Sequence, residues 1–243
     1  MEQSNISCGT TLIACEYDEG IVVGTDSRTS AGSFIATRVT DKITPVTNHI
    51  VCCRSGSAAD TQAINDLVRY YVEAHSMMEG EALSVYRATQ IFRSFLYDYR
   101  DQLSASVLVA GWDKAEKGQL YAIPLGGYVK REKFTASGSG STFVMGFLDK
   151  QWKPNLNLEG AKELVRTAVG LAVNRDGSSG GVIRLAWVNE KGTHRELIRP
   201  DGGSFPTFAE PAPYPSFPKH ITQNYIEEPP SSSPMVAAET EFA

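Results

Sequence analysis

The sequence predicts an α+β fold in which two antiparallel sheets are covered by helices. Strand patterns occur in pairs that are separated by short polar turns, and helical patterns occur in blocks. Strict alternation of strands and helices would instead indicate a parallel sheet. The strand patterns that contain residues 21–23 and 108–110 are apolar without interruption, which is typical of strands buried on both faces.

The predicted elements follow one another along the chain in a simple order. Apolar stretches broken by turn residues predict four strand pairs, at residues 11–17 and 21–25, 42–46 and 50–54, 105–112 and 119–124, and 181–188 and 193–199. Apolar residues at helical spacing predict two helices between the second and third pairs, at residues 64–75 and 88–99. A third helix is predicted at residues 158–175.

Composition and charge exclude several classes of function. The chain has 243 residues, of which 42% are hydrophobic, and a formal net charge of −5. Lys and Arg form no run, so a nucleic-acid partner is not expected. No apolar run approaches the roughly 18 residues of a membrane span, so no membrane association is expected. The N-terminus also lacks the basic and apolar parts of a secretory signal.

The cysteines and histidines predict neither a disulfide framework nor a metal site. Cys52 and Cys53 are adjacent in a predicted strand and should point to opposite faces, which favours a reducing compartment. The four histidines are scattered and have no ligand spacing. His49 lies in a predicted turn, and the sequence has no motif of a serine hydrolase, a zinc protease or a nucleotide-binding loop.

The composition changes after Arg199. Nine of the twelve prolines lie between Pro200 and Pro234, and residues 227–243 are first rich in Pro and Ser and then acidic. A segment of this kind buries little apolar surface. We therefore expect a C-terminal tail at residues 208–243 that is disordered or lies along a neighbouring protein.

Five short segments could carry chemistry: 9–11 (Gly-Thr-Thr), 24–28 (Gly-Thr-Asp-Ser-Arg), 38–43 (Arg-Val-Thr-Asp-Lys-Ile), 54–60 (Arg-Ser-Gly-Ser-Ala-Ala-Asp) and 175–181 (Arg-Asp-Gly-Ser-Ser-Gly-Gly). Taken one at a time, each has an ordinary structural interpretation. Thr10 is a good strand former, Lys42 suits an exposed strand edge, and Ser57 suits the N-cap of a helix. Their order and spacing together favour a functional interpretation.

In this order and spacing, the segments resemble the catalytic β-type subunits of the proteasome, which are N-terminal-nucleophile hydrolases. The resemblance extends from about Gly9 to Arg199. Residues 38–42 and 52–62 resemble most closely the caspase-like subunit, which cleaves after acidic residues. The resemblance implies a four-layer αββα sandwich of two antiparallel sheets flanked by helices, with a propeptide at residues 1–9 and a catalytic domain at residues 10–207.

The resemblance also implies the residues of the site. Cleavage is expected between Gly9 and Thr10, so that Thr10 becomes the nucleophile. The backbone N–H of Gly56 is the implied oxyanion donor, and the other implied catalytic residues are Asp26, Lys42, Ser139, Asp176 and Ser179. No metal or cofactor is implied. The residues implied to line the primary specificity pocket are Thr29, Thr40, Arg54 and Ala58.

This set of residues suits acyl transfer. A threonine hydroxyl is a weak nucleophile at neutral pH and needs an adjacent base. The α-amino group freed at Thr10 has an ordinary pKa of about 7.7–8.0, which suits general-base catalysis, and an ammonium at Lys42 would lower that pKa further. The guanidinium of Arg54 would bind a substrate carboxylate at the pocket base, unless it pairs with an acid of the protein itself.

The implied partners are other α- and β-type subunits in a four-ring proteasome core, with unfolded polypeptide as the substrate and a regulatory particle in indirect contact. The implied location is the cytoplasm and the nucleus. Three alternatives stay open. The chain could be a non-catalytic β-type ring subunit, an N-terminal-nucleophile amidohydrolase that acts on a small molecule, or a binding module that uses residues 138–141 as a phosphate-cradling loop.

Overall fold

The computed structural model describes residues 9–199. Along the chain the strands are β1 (Leu12–Tyr17), β2 (Gly20–Thr25), β3 (Thr29–Ala31), β4 (Phe34–Thr37), β5 (Ile43–Thr47), β6 (Ile50–Gly56), β7 (Ala105–Asp113), β8 (Lys117–Ile123), β9 (Lys130–Glu132), β10 (Phe134–Ser137), β11 (Ile183–Asn189) and β12 (Gly192–Ile198). The α-helices are α1 (Ala58–Glu79), α2 (Val85–Asp98), α3 (Met145–Gln151) and α4 (Leu158–Arg175), and a 3-10 turn spans Ser139–Phe143.

Two antiparallel sheets of five strands pack face to face. One sheet has the strand order β10-β1-β2-β11-β12, and the other has the order β5-β6-β7-β8-β9. A buried apolar cluster that includes Leu12, Val23 and Leu108 joins the facing sides of the two sheets. The β3–β4 hairpin forms a separate two-stranded sheet.

Helices cover the outer face of each sheet. Helices α1 and α2 pack on the β5–β9 sheet through a cluster that includes Phe92 and Val109. Helices α3 and α4 pack on the other sheet through a cluster that includes Val165 and Leu185. The resulting layers of helix, sheet, sheet and helix are the αββα sandwich that the sequence predicts, so the predicted fold class is confirmed.

The strand sequences produce these layers because successive side chains of a strand point to opposite faces. In β1, Leu12 faces the other sheet and Ile13 faces the helices. In β6, Cys52 faces the helices and Cys53 faces the other sheet, as their adjacency predicts. Both thiols are free, and burial raises the pKa of Cys52 to about 12.

The four predicted strand pairs and the three predicted helices are all present, and the largest difference in their bounds is at α1. This helix begins at Ala58, where the hydroxyl of Ser57 accepts a hydrogen bond from the N–H of Asp60 over 3.3 Å. No sequence pattern predicts the β3–β4 hairpin, β9, β10 or α3. Within the described part of the chain, no helix has the length and apolar character that a membrane crossing requires.

The predicted segments at the two ends of the chain fall largely outside the described residues. Residues 1–8 and 200–243 are not described, whereas Gly9 is. The propeptide at residues 1–9, the domain boundary at residue 207 and the tail at residues 208–243 therefore stay predictions.

Candidate active site

The register of the first sheet brings two of the predicted site segments, 9–11 and 24–28, close to the predicted site residue Ser139. Leu12, the first residue of β1, pairs with Thr25 at the end of β2 and with Ser137 at the end of β10. Thr10 therefore lies beside Asp26, which follows β2, and beside the 3-10 turn that follows β10. Residues that are distant in sequence meet at one end of the sheet because their strands are hydrogen-bonded neighbours.

Lys42 connects the predicted nucleophile to a buried carboxylate. Its Nζ donates to Thr10 Oγ1 over 3.1 Å and forms an ion pair with Asp26 Oδ1 at 2.7 Å. The same Nζ donates to the carbonyl oxygen of Gly9 over 3.2 Å. Since Thr10, Asp26 and Lys42 are all buried, the ammonium is held in a poorly solvated place where its charge acts strongly on neighbouring atoms.

Backbone groups hold Asp26 in position. The carboxylate oxygen Oδ1 accepts from the N–H of Thr11 over 3.0 Å. The other oxygen, Oδ2, accepts from the N–H groups of Arg28 and Gly180 over 3.1 and 3.0 Å. A buried carboxylate is tolerated when it is paired with a cation and fully hydrogen-bonded. Asp26 meets both conditions, and its fixed position in turn orients Lys42.

A second network approaches Thr10 from the other side. The N–H of Thr10 donates to Ser139 Oγ over 3.1 Å. The hydroxyls of Ser139 and Ser179 each donate to Asp176 Oδ2 over 2.6 Å. Burial alone would raise the pKa of Asp176, but these two donors, the N–H of Ser178 and the charge of Lys42 outweigh burial, so the pKa lies below its ordinary value of 3.8.

The hydroxyl of Thr11 extends this second network. Its Oγ1 lies 2.7 Å from Ser179 Oγ, although the two residues are 168 positions apart in sequence. Thr11 is completely buried. Its side chain is not among the predicted site residues, because a threonine at the start of a strand is an ordinary strand former.

Gly56 ends β6 in a backbone conformation that favours glycine. Its φ is +104°, and a Cβ built there would lie 2.2 Å from the carbonyl oxygen of Ser104. Residues with a side chain rarely adopt a positive φ. Gly56 and Thr10 line the same cavity.

One cavity joins the predicted nucleophile to the predicted specificity pocket. The residues that line it are Thr10, Thr29, Thr40, Lys42, Arg54, Gly56, Ala58 and Thr61. Thr29 and Thr40 are tied together by a hydrogen bond of 2.8 Å between their hydroxyls. All four residues that the sequence assigns to the pocket are present, and Thr61, one turn into α1, is a lining residue that the sequence analysis missed.

Arg54 lines this cavity, and no carboxylate among residues 9–199 forms an ion pair with it. Its Nη2 donates to the backbone carbonyl of Asp41 over 3.2 Å, while the carboxylate of Asp41 is paired with Arg195 at 2.6 Å. The Nε of Arg54 is buried and has no hydrogen-bond partner among residues 9–199. No carboxylate in that range pairs with Arg54, so the described residues do not supply the acid that would neutralise it.

Gly9 is enclosed by the loop that follows α4. A Cβ built at residue 9 would lie 1.8 Å from Ser178 Cβ and 2.7 Å from the carbonyl oxygen of Ser178. Real Cβ atoms do not approach other atoms so closely, so only glycine fits at this point of the chain. The Gly9–Thr10 peptide is thus held between this loop and Lys42.

The histidines and acidic residues form no metal site in the described part of the chain, where no group of three or more metal-ligating side chains converges. His49 lies in the turn between β5 and β6, as predicted, with its Nε2 3.1 Å from the carbonyl oxygen of Glu190.

Comparison with known proteins identifies the family. Residues 6–188 match the family described as proteasome subunit. Proteasome subunit beta type-6 of Dictyostelium discoideum is 45% identical over 205 residues, which cover 84% of this chain and 95% of that protein. The chain belongs to the proteasome β-type subunit family. Proteasome subunit beta type-1 of Saccharomyces cerevisiae is 42% identical over 201 residues (83% and 93%), and proteasome subunit beta type-9 of Homo sapiens is 43% identical over 203 residues (84% and 91%).

The three relatives carry three different type numbers, so the comparisons establish a β-type proteasome subunit rather than one particular type. Within this subunit, the structure brings together all of the residues that the sequence assigns to the site. They fall into a lysine network around Lys42 and Asp26, a serine network around Asp176, and a cavity that reaches Arg54. The contributions that the sequence analysis missed are those of Thr11, Thr61 and the backbone N–H groups of Arg28 and Gly180.

Proposed function

We propose that this β-type subunit is a threonine endopeptidase that acts in ATP- and ubiquitin-dependent protein degradation, with Thr10 Oγ1 as its nucleophile. The contact that carries the proposal is the one between Lys42 Nζ and Thr10 Oγ1, 3.1 Å long and backed by the 2.7 Å ion pair with Asp26. A buried lysine beside a hydroxyl that faces a cavity is an arrangement for activating that hydroxyl.

The proposed reaction is acyl transfer in two stages. Thr10 Oγ1 attacks the scissile carbonyl, and its proton passes to the freed α-amino group of Thr10 and then to the leaving amine. The N–H of Gly56 stabilises the oxyanion, an interaction worth about 3–4 kcal/mol in other hydrolases. A water molecule that is deprotonated by the same amine then hydrolyses the ester, which restores Thr10 and releases the acid product.

The uncut chain lacks the base for this reaction. With Gly9 attached, the nitrogen of Thr10 is an amide that donates to Ser139. An amide nitrogen accepts no proton at neutral pH, so we infer that the precursor is inactive towards other substrates. Lys42, which contacts both Thr10 Oγ1 and the carbonyl of Gly9, is placed to assist the attack of Thr10 on its own preceding peptide bond.

The proposed specificity is for peptide bonds that follow an acidic residue, the caspase-like activity. Arg54 supports this specificity, because it lines the cavity that contains Thr10 and its buried Nε lacks a hydrogen-bond partner among residues 9–199. Charged hydrogen bonds to a guanidinium are among the stronger polar interactions. A substrate carboxylate would pair with the Arg54 guanidinium, which no carboxylate among the described residues does.

We also propose that the subunit assembles with other α- and β-type proteasome subunits in the cytoplasm and nucleus, and that unfolded polypeptide reaches its site inside the assembled rings. The second candidate function is that of a non-catalytic ring member. A purely structural role would give no reason for Lys42 to contact both Thr10 Oγ1 and the Gly9 carbonyl oxygen beside a cavity that Thr10 and Lys42 line. The two functions differ in whether Thr10 becomes the N-terminal residue.

Replacement of Gly9 by alanine tests the proposed processing. We expect Gly9→Ala to slow the cut before Thr10 at least about 10-fold, because the new Cβ collides with Ser178 and a misplaced peptide bond reacts slowly. Cleavage is followed by the intact mass of the subunit after assembly, together with hydrolysis of a peptide that places glutamate before the scissile bond.

A matched control for this experiment is Gly170→Ala in α4, where a Cβ would meet nothing within 4 Å. The control should be processed at the normal rate. Adding Ser178→Gly to Gly9→Ala removes the closest of the colliding atoms and should restore part of the cleavage. Normal processing of Gly9→Ala on its own would contradict the proposed geometry of the junction.

A further inference from the structure

We propose that Thr11 is a positioning residue for the reaction of Thr10, and that it acts through its side-chain hydroxyl. The inference rests on the proposed function and deepens it, because it assigns a role within the same site to a residue outside the predicted catalytic set. The observation that supports it is the 2.7 Å contact between Thr11 Oγ1 and Ser179 Oγ. Both residues are buried.

The direction of this hydrogen bond follows from a count of protons. A serine hydroxyl has one proton to donate. Ser139 and Ser179 both donate to Asp176 Oδ2 over 2.6 Å, and this carboxylate is ionised at neutral pH. Ser179 Oγ therefore has no proton left for Thr11, so Thr11 must be the donor.

A continuous chain of hydrogen bonds then connects Thr11 to the nitrogen of Thr10. It runs from Thr11 to Ser179, Asp176 and Ser139, and each member has the donor or acceptor that it needs. The alternative contact of Ser139 with the carbonyl oxygen of Thr10 is 3.4 Å long and too weak to compete for the Ser139 proton. Thr11 is thus the terminal donor of the chain.

The backbone of Thr11 contacts the lysine network around Lys42 and Asp26. Its N–H donates to Asp26 Oδ1, the oxygen that pairs with Lys42. The two hydrogen bonds of Thr11 therefore join the lysine network to the serine network directly next to Thr10. A rotation of the Thr11 side chain would loosen the serine network, whereas the lysine network would stay held through the backbone.

Close packing fixes the Thr11 hydroxyl in this orientation. A Cβ built at Gly140 would lie 1.9 Å from Thr11 Oγ1, so the turn that follows Ser139 sits directly against the hydroxyl. The N–H of Gly140 also donates to the carbonyl oxygen of Thr10 over 3.2 Å. The 3-10 turn that contains Ser139 therefore packs against Thr11, and the position of Ser139 depends on the Thr11 side chain.

The experiment compares Thr11→Val and Thr11→Ser in assembled particles that contain the full chain. Valine has nearly the shape of threonine but no hydroxyl, whereas serine keeps the hydroxyl and loses the methyl group. We expect Thr11→Val to lower kcat about 10-fold or more, with KM changed by less than about 2-fold, since a small misplacement of reacting groups is costly. We expect Thr11→Ser to retain most of the wild-type kcat.

A double-mutant cycle with Ser179→Ala separates positioning from general packing. Once Ser179 Oγ is absent, the further change Thr11→Val should have little additional effect on kcat. Equal losses in Thr11→Val and Thr11→Ser, or full additivity with Ser179→Ala, would overturn the inference. If Thr11→Val subunits do not enter the particle, Thr11→Ala and Thr11→Ser give the same test, because they differ only in the hydroxyl.

The wild-type particle distinguishes this inference from the proposed function. If the wild-type chain is not cut before Thr10 or does not hydrolyse peptides, the proposed function itself fails. If the wild-type chain is active and Thr11→Val matches it, only the role of Thr11 is wrong.

Discussion

Replacing Lys42 with methionine is expected to leave the Gly9–Thr10 bond uncut. Because Thr10 then has no free amine to act as the general base, peptide hydrolysis by this subunit should fall at least about 10²-fold. Lys42 Nζ contacts both Thr10 Oγ1 and the carbonyl oxygen of Gly9, so one substitution removes both contacts. The measurements are the intact mass of the subunit in the assembled particle and the rate of hydrolysis after glutamate.

Stability must be measured alongside activity for this variant. Lys42→Met leaves Asp26 buried without its cation, and breaking a buried ion pair from one side costs about 3–5 kcal/mol. Incorporation of the variant into particles shows whether the subunit still folds. Lys130→Met, a change of an exposed lysine on β9, is the control and should behave as wild type. Normal processing by Lys42→Met would contradict the proposed mechanism.

Replacing Arg54 with leucine is expected to reduce kcat/KM for substrates with an acidic residue before the scissile bond by about 10–100-fold, the equivalent of one lost charged hydrogen bond. Substrates with leucine at that position should be cleaved at least as well as before. The reason is that Arg54 lines the cavity that contains Thr10, and no carboxylate among residues 9–199 pairs with it.

The informative quantity is the kcat/KM for the acidic substrate divided by the kcat/KM for the leucine substrate, measured on the same particles. This ratio is independent of how much active subunit is present. Arg166→Leu changes an exposed arginine on α4 and should leave the ratio unchanged. An unchanged ratio in Arg54→Leu would contradict the proposal that Arg54 determines the acidic preference.

The sequence predicts the fold well where its patterns are long and locally determined. The four strand pairs have apolar stretches closed by turn residues, and α4 has apolar residues on one face over five turns. The elements that it does not predict are short or partly exposed. Strands β3 and β4 are largely exposed or half-buried, α3 has only seven residues, and β10 pairs with β1, far away in sequence.

The individual site residues could be predicted only from the resemblance to proteasome β-type subunits. Each segment on its own has an ordinary structural interpretation. The structure adds the contacts that no local pattern contains. Ser139 and Asp176 meet across 37 positions and Thr11 and Ser179 across 168, since the sheet register brings their segments together. The apolar periodicity predicts that α1 begins at residue 64, whereas the helix begins at Ala58. Thr61 therefore lies in the first turn of α1, where it lines the cavity.

The N-terminal residue of this subunit in the native assembled particle tests the central claim most directly. Sequencing or intact-mass measurement gives the answer without any substitution. We predict that the mature chain begins Thr10-Thr11-Leu12, so that Thr10 carries the free amine that serves as its base. A mature chain that retains Gly9 and the residues before it would leave Thr10 without that base and would contradict the proposal that this subunit is a threonine endopeptidase.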